Sequence, residues 1–554
     1  MSSSPPRFSL LSEPWILCEA FDGSTTKLSI RQVFDGEHPV RRVRGDSPTQ
    51  DYAVLRVLLA ISWRGHSGEL SVRGGDDSPF FSWFENRLSA VRSGKADEAV
   101  LTYLKEFENR FYLVSDDVPF MQTPSLQTKA NVYLSISRLI PEAENAYFSM
   151  REDKDSQQIP LDEAARWLMT AQAYDYSGIK PGALGDSRVK GGKGYPIGTG
   201  WTGMTGGTII TGSTLAETLV YNTTKACINS LGDLPCWERP VDTASVREFP
   251  APKGAADLAT WQSRRIRVRY EGNLATGAIV TNGDKIPDAG ANVYGDPMTP
   301  YRYSKNKSKK GRPDIYYPQR FDPTQTMWKS LTPLVALDGD AQFTDKERAP
   351  KRPENLSSLT SVFSELGIEE TIPLELISAT YGPQDSTPST TVHATLNIPS
   401  AILKPENVEL RDEVVAQATA TSKAAVALGS FAGQLLQAAG GDYEFQPGPK
   451  DGVLAELEHR FNLWLSEVDE DDINEQIQQW QDIVYTAVMD RAAVLVKGAG
   501  PKALVGRLIP PRQEGGSPWQ LTAGTAYSQL KKKVLETLTE CSASKQQREK
   551  VSKP

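Results

Sequence analysis

The chain reads as an α+β protein: a large irregular mixed N-terminal domain over 1–402, then an all-α C-terminal four-helix bundle over 403–554. Three observations carry that expectation. The 554 residues exceed what one hydrophobic core organises, so a large unit plus a smaller one is expected. Up to about Pro405, strand-like and helical strings are interrupted so often by proline and glycine that no repeated strand–helix pattern emerges. Beyond it, long proline-poor segments carry apolar residues at helical spacing.

In chain order, RVLLAISW from Arg56 predicts a buried helix behind the turn GDSPTQD, whereas TIITGS from Thr208 and RRIRVRY from Arg264 predict strands. A helix is expected from Glu406 to about Ala439, closed by Gly440-Gly441. A second, from about Asp451, stripes Val453, Leu454, Leu457, Phe461, Trp464 and Leu465. A third starts at Asp472 with Glu475 in capping-box position and stripes Ile473, Ile477, Trp480, Val484, Val488 and Leu495. The last carries Tyr527, Leu530, Val534 and Leu538 and then dissolves into a charged tail, KQQREKVSKP. Such stripes are bundle core far more often than a cofactor box.

Composition narrows the function classes. Cys18, Cys227, Cys236 and Cys541 are scattered, with no C-x-x-C, and read as buried thiols. His38, His66, His393 and His459 are equally isolated, so no metal, no cofactor and no catalytic residue is expected. The N-terminus lacks the charged and apolar regions of a signal peptide, and no stretch is long enough to span a bilayer; a cytoplasmic protein away from membranes is expected. Net charge is −8, which excludes a general polyanion binder. Locally the balance reverses: Trp261 to Arg320 holds twelve Lys and Arg against five Asp and Glu.

Gly178 to Gly207 packs eleven glycines into thirty positions, with four basic residues and one acid. Glycine admits positive φ and bare backbone, so such a tract fits a loop that cradles phosphate or presses against a nucleic-acid groove. Gly198, Gly200 and Gly203 satisfy G-x-G-x-x-G, which leaves a nucleotide-dependent enzyme as an alternative. The match is weak, because a strand reading (TIITGS) follows the glycines where a dinucleotide site needs a helix. A purely structural assembly protein is the third reading.

Five strings combine in order: FSLLSEPWI from Phe8, GDSPTQDYAVLRVLLA from Gly45, VPFMQT from Val118, GWTGMTGGT from Gly200 and PLELISATYG from Pro373. Ahead of a helical C-terminus, they resemble the CasA family, the large subunit of the type I-E CRISPR surveillance complex Cascade. The resemblance covers nearly the whole chain. It implies a non-catalytic subunit that checks a protospacer-adjacent motif (PAM) from the minor groove and helps open the duplex for guide RNA. Implied partners are double-stranded DNA, CRISPR RNA, other Cascade subunits and the helicase-nuclease that the subunit helps recruit. Base pairing then reads the long sequence, and protein reads the short motif.

Placed residue by residue, the family's minor-groove glycine loop falls on Gly198, and its lysine finger on Lys285 in TNGDKIPDAG. Bare backbone suits a groove only about 6 Å wide, and a lysine can donate to its degenerate acceptors. The duplex-splitting wedge falls on Gln384 in YGPQDSTPS, where Pro383 and Asp385 replace a more amide-rich, neutral turn. Phe148 matches an aromatic on the family's long first loop; the polar sequence after it predicts no fixed structure in the isolated chain. Lys305, Lys307, Lys309, Lys310 and Arg312 match a basic turn that attracts DNA non-specifically. The cysteine zinc site of some members has no counterpart, since no cysteine lies between Cys236 and Cys541.

Overall fold

The computed structural model describes residues 7–70, 76–141, 157–230, 232–248, 250–309, 311–322, 326–340, 343, 348–510 and 518–552. At its centre lies α1, Pro48–Gly65, whose YAVLRVLLAISW run is buried on every side. A helix apolar all round belongs in a core, and this one is started by Pro48 at its first position and the Ser47 side chain accepting from Gln50 N. The helix therefore begins inside the string expected as a turn. Against it packs α2, Leu161–Tyr174.

The glycine tract folds into three pieces: a hairpin of β1 (Lys180–Pro181) and β2 (Lys193–Gly194), a short α3 (Trp201–Met204), and β3 (Gly206–Ile210). Next come the antiparallel β4 (Arg264–Glu271) and β5 (Leu274–Asn282), with Arg264 opposite Asn282, then β6 (Tyr301–Tyr303) and β7 (Tyr316–Pro318). β8 (Thr371–Tyr381) and β9 (Pro388–Pro399) form the longest hairpin, and β3 pairs along β8 with Gly206 opposite Ser378. Those pairings make the strands predicted at TIITGS and RRIRVRY real, each in an antiparallel sheet.

The C-terminal region is helical. α4 (Val408–Ala438) touches α5 (Pro447–Ser466), α6 (Ile473–Gly498) and, beyond the small hairpin β10 (Arg507–Ile509) and β11 (Trp519–Leu521), α7 (Ala523–Thr537). Phe461 sits at the middle of an aromatic cluster, 4.7 Å from Trp328 and 5.1 Å from Trp480 between ring centroids. The buried Arg411–Asp340 ion pair, at 2.6 Å, ties α4 to the segment before it. Asn462 on α5 bonds the backbone of Asn397 and Thr395 on β9, so the helices share one continuous core with the mixed part.

Two expectations fail here. Asp472 is the N-cap of α6 but makes no side-chain capping bond, so the predicted box with Glu475 does not form. The charged tail is not shapeless either: Ser542–Ser552 forms α8. Its start is pinned where Ser542 donates through N and Oγ to Asp482 on α6, while Cys541 just before it and Ser544 in its first turn are buried. Among the described residues no helix is long and apolar enough to cross a membrane.

The histidines are structural or exposed. His66 is buried at the end of α1, with Nε2 on Asp97 at 3.0 Å and Nδ1 on Glu69 at 2.9 Å. Burial lowers its pKa, but the hydrogen bonds to Asp97 and Glu69 outweigh that and leave it raised. An imidazole raised in the folded state stabilises fully below its unfolded value of about 6.5 and loses that contribution as pH rises through the folded value. His66→Gln should therefore cost on the order of 1–3 kcal/mol at pH 6. The difference between the thermal melts of the two proteins should narrow as pH rises above about 6.5.

Candidate nucleic-acid interface

Gly198 stands at φ +92, a left-handed conformation that favours glycine, and a Cβ there would meet nothing within 4 Å. Its open side is therefore available, while its carbonyl is held from behind by Arg264 Nη2 at 2.9 Å. The rest of the tract behaves differently from the single loop expected. Cβ atoms at Gly200 and Gly203 would come 2.5 Å from the Gln172 carbonyl and 2.7 Å from Tyr381 Oη. These glycines serve close packing, and β3 behind them is buried throughout. The G-x-G-x-x-G spacing accordingly bridges an exposed loop and a four-residue helix followed by a strand, not the strand–loop–long-helix of a dinucleotide site.

Lys285 is exposed between two buried anchors. On one side the Asp284 carboxylate accepts from Arg265 Nη2 at 2.9 Å and Arg247 Nε at 2.6 Å, and its carbonyl accepts from Trp261 Nε1. On the other, Ile286 is buried with Trp201, Leu258, Trp261, Tyr301 and Tyr316. The ammonium itself has no ion pair among the described residues. A lysine so mounted loses little backbone freedom on contacting a ligand.

Gln384 occupies the tip between β8 and β9 at φ 58, ψ 26, with its side chain exposed. A non-glycine residue in the left-handed region persists only where the surroundings over-determine it. Here Ser177 N donates to the Asp385 carbonyl at 2.7 Å, and Arg320 grips the Asp385 carboxylate at 2.9 and 3.0 Å. Arg320 also donates to the Gly203 carbonyl and lies over the Tyr381 ring. The departure at Asp385 thus has a structural reason: its charge is neutralised from inside while it braces the turn.

These supports converge. Arg264, fully buried, donates Nε to Asp175 Oδ2 and Nη2 to the carbonyls of Asp175, Tyr176 and Gly198. Burial would raise the Asp175 pKa, but Arg264, Arg138 and Lys180 hold it well below the usual carboxylate range. Burial pushes the Lys180 ammonium down to about 8, the Asp175 charge opposing and Arg264 and Arg138 adding to the shift. Arg264 and Arg265, adjacent on β4, brace the Gly198 loop and the Lys285 loop respectively. Residues 175–177 carry the same frame to the Gln384 turn.

Lys305, Lys307, Lys309 and Arg312 are exposed on the turn from β6 to β7, without ion pairs among the described residues. Tyr301 and Tyr316 root that hairpin in the cluster holding Ile286 and Trp201. Lys310 and Phe148 lie outside the described residues. The basic excess of the stretch from Trp261 to Arg320 persists at the surface, because burial removes Arg264 and Arg265 but also Asp284 and Asp296. Sequence reasoning missed Arg264, Asp175 and Arg320 as the frame. Only the adjacent arginines at the start of a predicted strand hinted at it.

All four cysteines are buried and free, and burial raises the pKa of the Cys18, Cys227 and Cys236 thiols to about 12. Among the described residues no group of three His, Cys, Asp or Glu is placed to hold a metal. What positions the Lys285 loop is a set of buried arginine–aspartate pairs: Arg247 and Arg265 with Asp284, and Arg239 and Arg247 with Asp257.

Three exposed loops are thus braced on one buried ionic and aromatic frame. The chain belongs to the CRISPR-associated protein Cse1 family, whose model matches residues 9–490. A curated relative, CRISPR-associated protein CasA/Cse1 of Thermus thermophilus, is 26% identical over 275 residues, 48% of this chain and 50% of the relative; the match spans half that protein's length. The crystal structure of Thermobifida fusca Cse1 is similar at a TM-score of 0.83 and 30% identity, covering 97% of this chain and 99% of that one. Cse1 from Acidimicrobium ferrooxidans, 24% identical with a TM-score of 0.74 over 97% of this chain and 99% of that one, shares the fold.

Proposed function

We propose that the chain is the non-catalytic large subunit of a type I-E CRISPR RNA-guided complex, partnered by CRISPR RNA and the other Cascade subunits. It recognises the PAM of double-stranded DNA from the minor groove, opens the duplex for R-loop formation and helps recruit the helicase-nuclease. One observation carries the reading: the Gly198 loop, the Lys285 loop and the Gln384 turn are all fastened to the frame around Arg264, Arg265 and Asp175. Three probes fixed to one frame can test a groove as a unit, because their mutual geometry is set before DNA arrives. Lys285 donates to minor-groove acceptors, the Gly198 backbone approaches the groove floor, and Gln384 fills the place of the first separated base pair. Two solved structures of a CRISPR RNA-guided surveillance complex, one of them pre-nicking, share the fold at 20% and 18% identity.

The basic turn supplies steering instead of readout. Replacing Lys307, Lys309 and Lys310 by alanine should flatten the salt dependence of duplex binding by about 0.9 in log–log slope per lost phosphate contact, with motif preference unchanged. Titration of duplex binding against salt concentration measures it. The reading itself is tested by Lys285→Ala with Gln384→Ala: target opening falls while assembly of the complex persists, and unchanged R-loop formation refutes it.

A further inference from the structure

The β1–β2 hairpin lies just ahead of Gly198 in the chain and has an outward face that none of the roles above uses. Its register pairs Lys180 with Gly194 and Pro181 with Lys193. Lys180 and Gly194 point inward: the lysine meets Asp175 at 2.9 Å, and a Cβ on Gly194 would sit 3.1 Å from Asn282 Nδ2. Strand alternation therefore turns Pro181 and Lys193 outward, and places Ile179 opposite Tyr195 on that same side. Exposure agrees, at 61% for Ile179 and 54% for Tyr195, with Pro181 and Lys193 exposed beside them.

Both ends of this face are fixed. The Tyr195 carbonyl accepts from Asn282 Nδ2 at 2.7 Å, at the end of the strand that leads to Lys285. Lys190 and Lys193 close a turn through mutual backbone bonds at 3.1 Å, and neither side chain has an ion pair among the described residues. The other two cations of the hairpin are already neutralised, Lys180 by Asp175 and Arg188 by Asp186. What remains is an exposed aromatic on a fixed backbone, with an aliphatic neighbour and two cations without ion pairs among the described residues. That combination fits a single nucleic-acid strand, whose bases stack on aromatic faces while its phosphates meet lysines. A duplex offers no open base face to Tyr195; a strand released at a wedge does.

We propose that Tyr195, supported by Ile179, is a stacking platform for an unpaired base of single-stranded DNA, with Lys190 and Lys193 holding the flanking phosphates. The assignment rests on the reading above, because the opened duplex supplies the strand. Continuity with the Gly198 loop and charge complementarity select this occupant over a protein partner, for which two unpaired lysines beside so small an apolar pair have no evident use.

The test is anisotropy of fluorescein-labelled oligothymidylate with the full chain. Tyr195→Ala should weaken binding on the order of tenfold, and Tyr195→Phe should retain it. Lys190→Ala with Lys193→Ala should weaken it and lower the salt slope by about 1.4, for two phosphates on a single strand. Melting temperatures should move little, since Tyr195 is more than half exposed and both lysines are exposed. Wild-type affinity in Tyr195→Ala, or no oligonucleotide binding by the wild-type chain, would overturn the platform. So would a Tyr195→Ala chain that binds oligothymidylate normally yet fails to join the RNA-guided complex, which would make the face a protein contact. The Lys285 and Gln384 variants leave this platform intact, so a failure of motif reading and a failure of stacking register in different proteins.

Discussion

Complexes assembled with Lys285→Ala and Gln384→Ala together should open target duplex at least roughly thirtyfold more slowly than wild type, at about 1–3 kcal/mol per lost contact. Assembly should be unaffected, because both side chains are exposed and bond to nothing that holds the fold. The two single variants should separate by symptom. On the proposed roles, Lys285→Ala removes a donor used while the duplex is intact, so initial motif binding should weaken. Gln384→Ala should leave initial binding nearly whole and slow opening, the outcome expected of a wedge that acts on the separated pair. Stopped-flow fluorescence of a base analogue beside the motif distinguishes the steps.

The second large effect lies inside the molecule. Arg264→Met should destabilise the chain by about 3–5 kcal/mol, because it leaves Asp175 buried beside fewer cations and removes the donor to the Gly198 carbonyl. For a cooperative unit the size of this chain, that corresponds to a melting temperature lower by roughly 3–4 °C. The protein that stays folded should also lose discrimination between motifs, since the Gly198 loop has lost its brace. Lys285→Ala should do neither to stability, which separates frame from probe. A destabilised Arg264→Met protein with full motif discrimination would show that the frame is structural only.

How much of this was legible in the sequence differs by element. The strands at Thr208 and Arg264 and the C-terminal helical stripes follow from periodicity, which is local and therefore visible. The start of α1 was missed because Pro-Thr-Gln-Asp reads as turn chemistry, although Pro48 at the first helical position behind a Ser47 cap is equally a helix start. The helical tail was missed because Ser542 finds Asp482 sixty residues earlier, a partner that no local pattern reveals. Positions for Gly198, Lys285 and Gln384 came from resemblance and spacing. Their common support did not, because Arg264, Asp175 and Arg320 are joined only by folding. The net count of basic residues from Trp261 to Arg320 survived folding only because two of its arginines and two of its aspartates are buried together.

The central claim is that this subunit gives the RNA-guided complex its preference among short flanking motifs. Binding of a library of targets, identical in the guide-matched stretch and varied in the flanking motif, is the most direct measurement, made with the complex containing this chain and with the complex lacking it. With the chain, affinities should spread over at least roughly tenfold among motifs, and the spread should collapse in its absence and in Lys285→Ala. An equal spread with and without the chain would contradict the account.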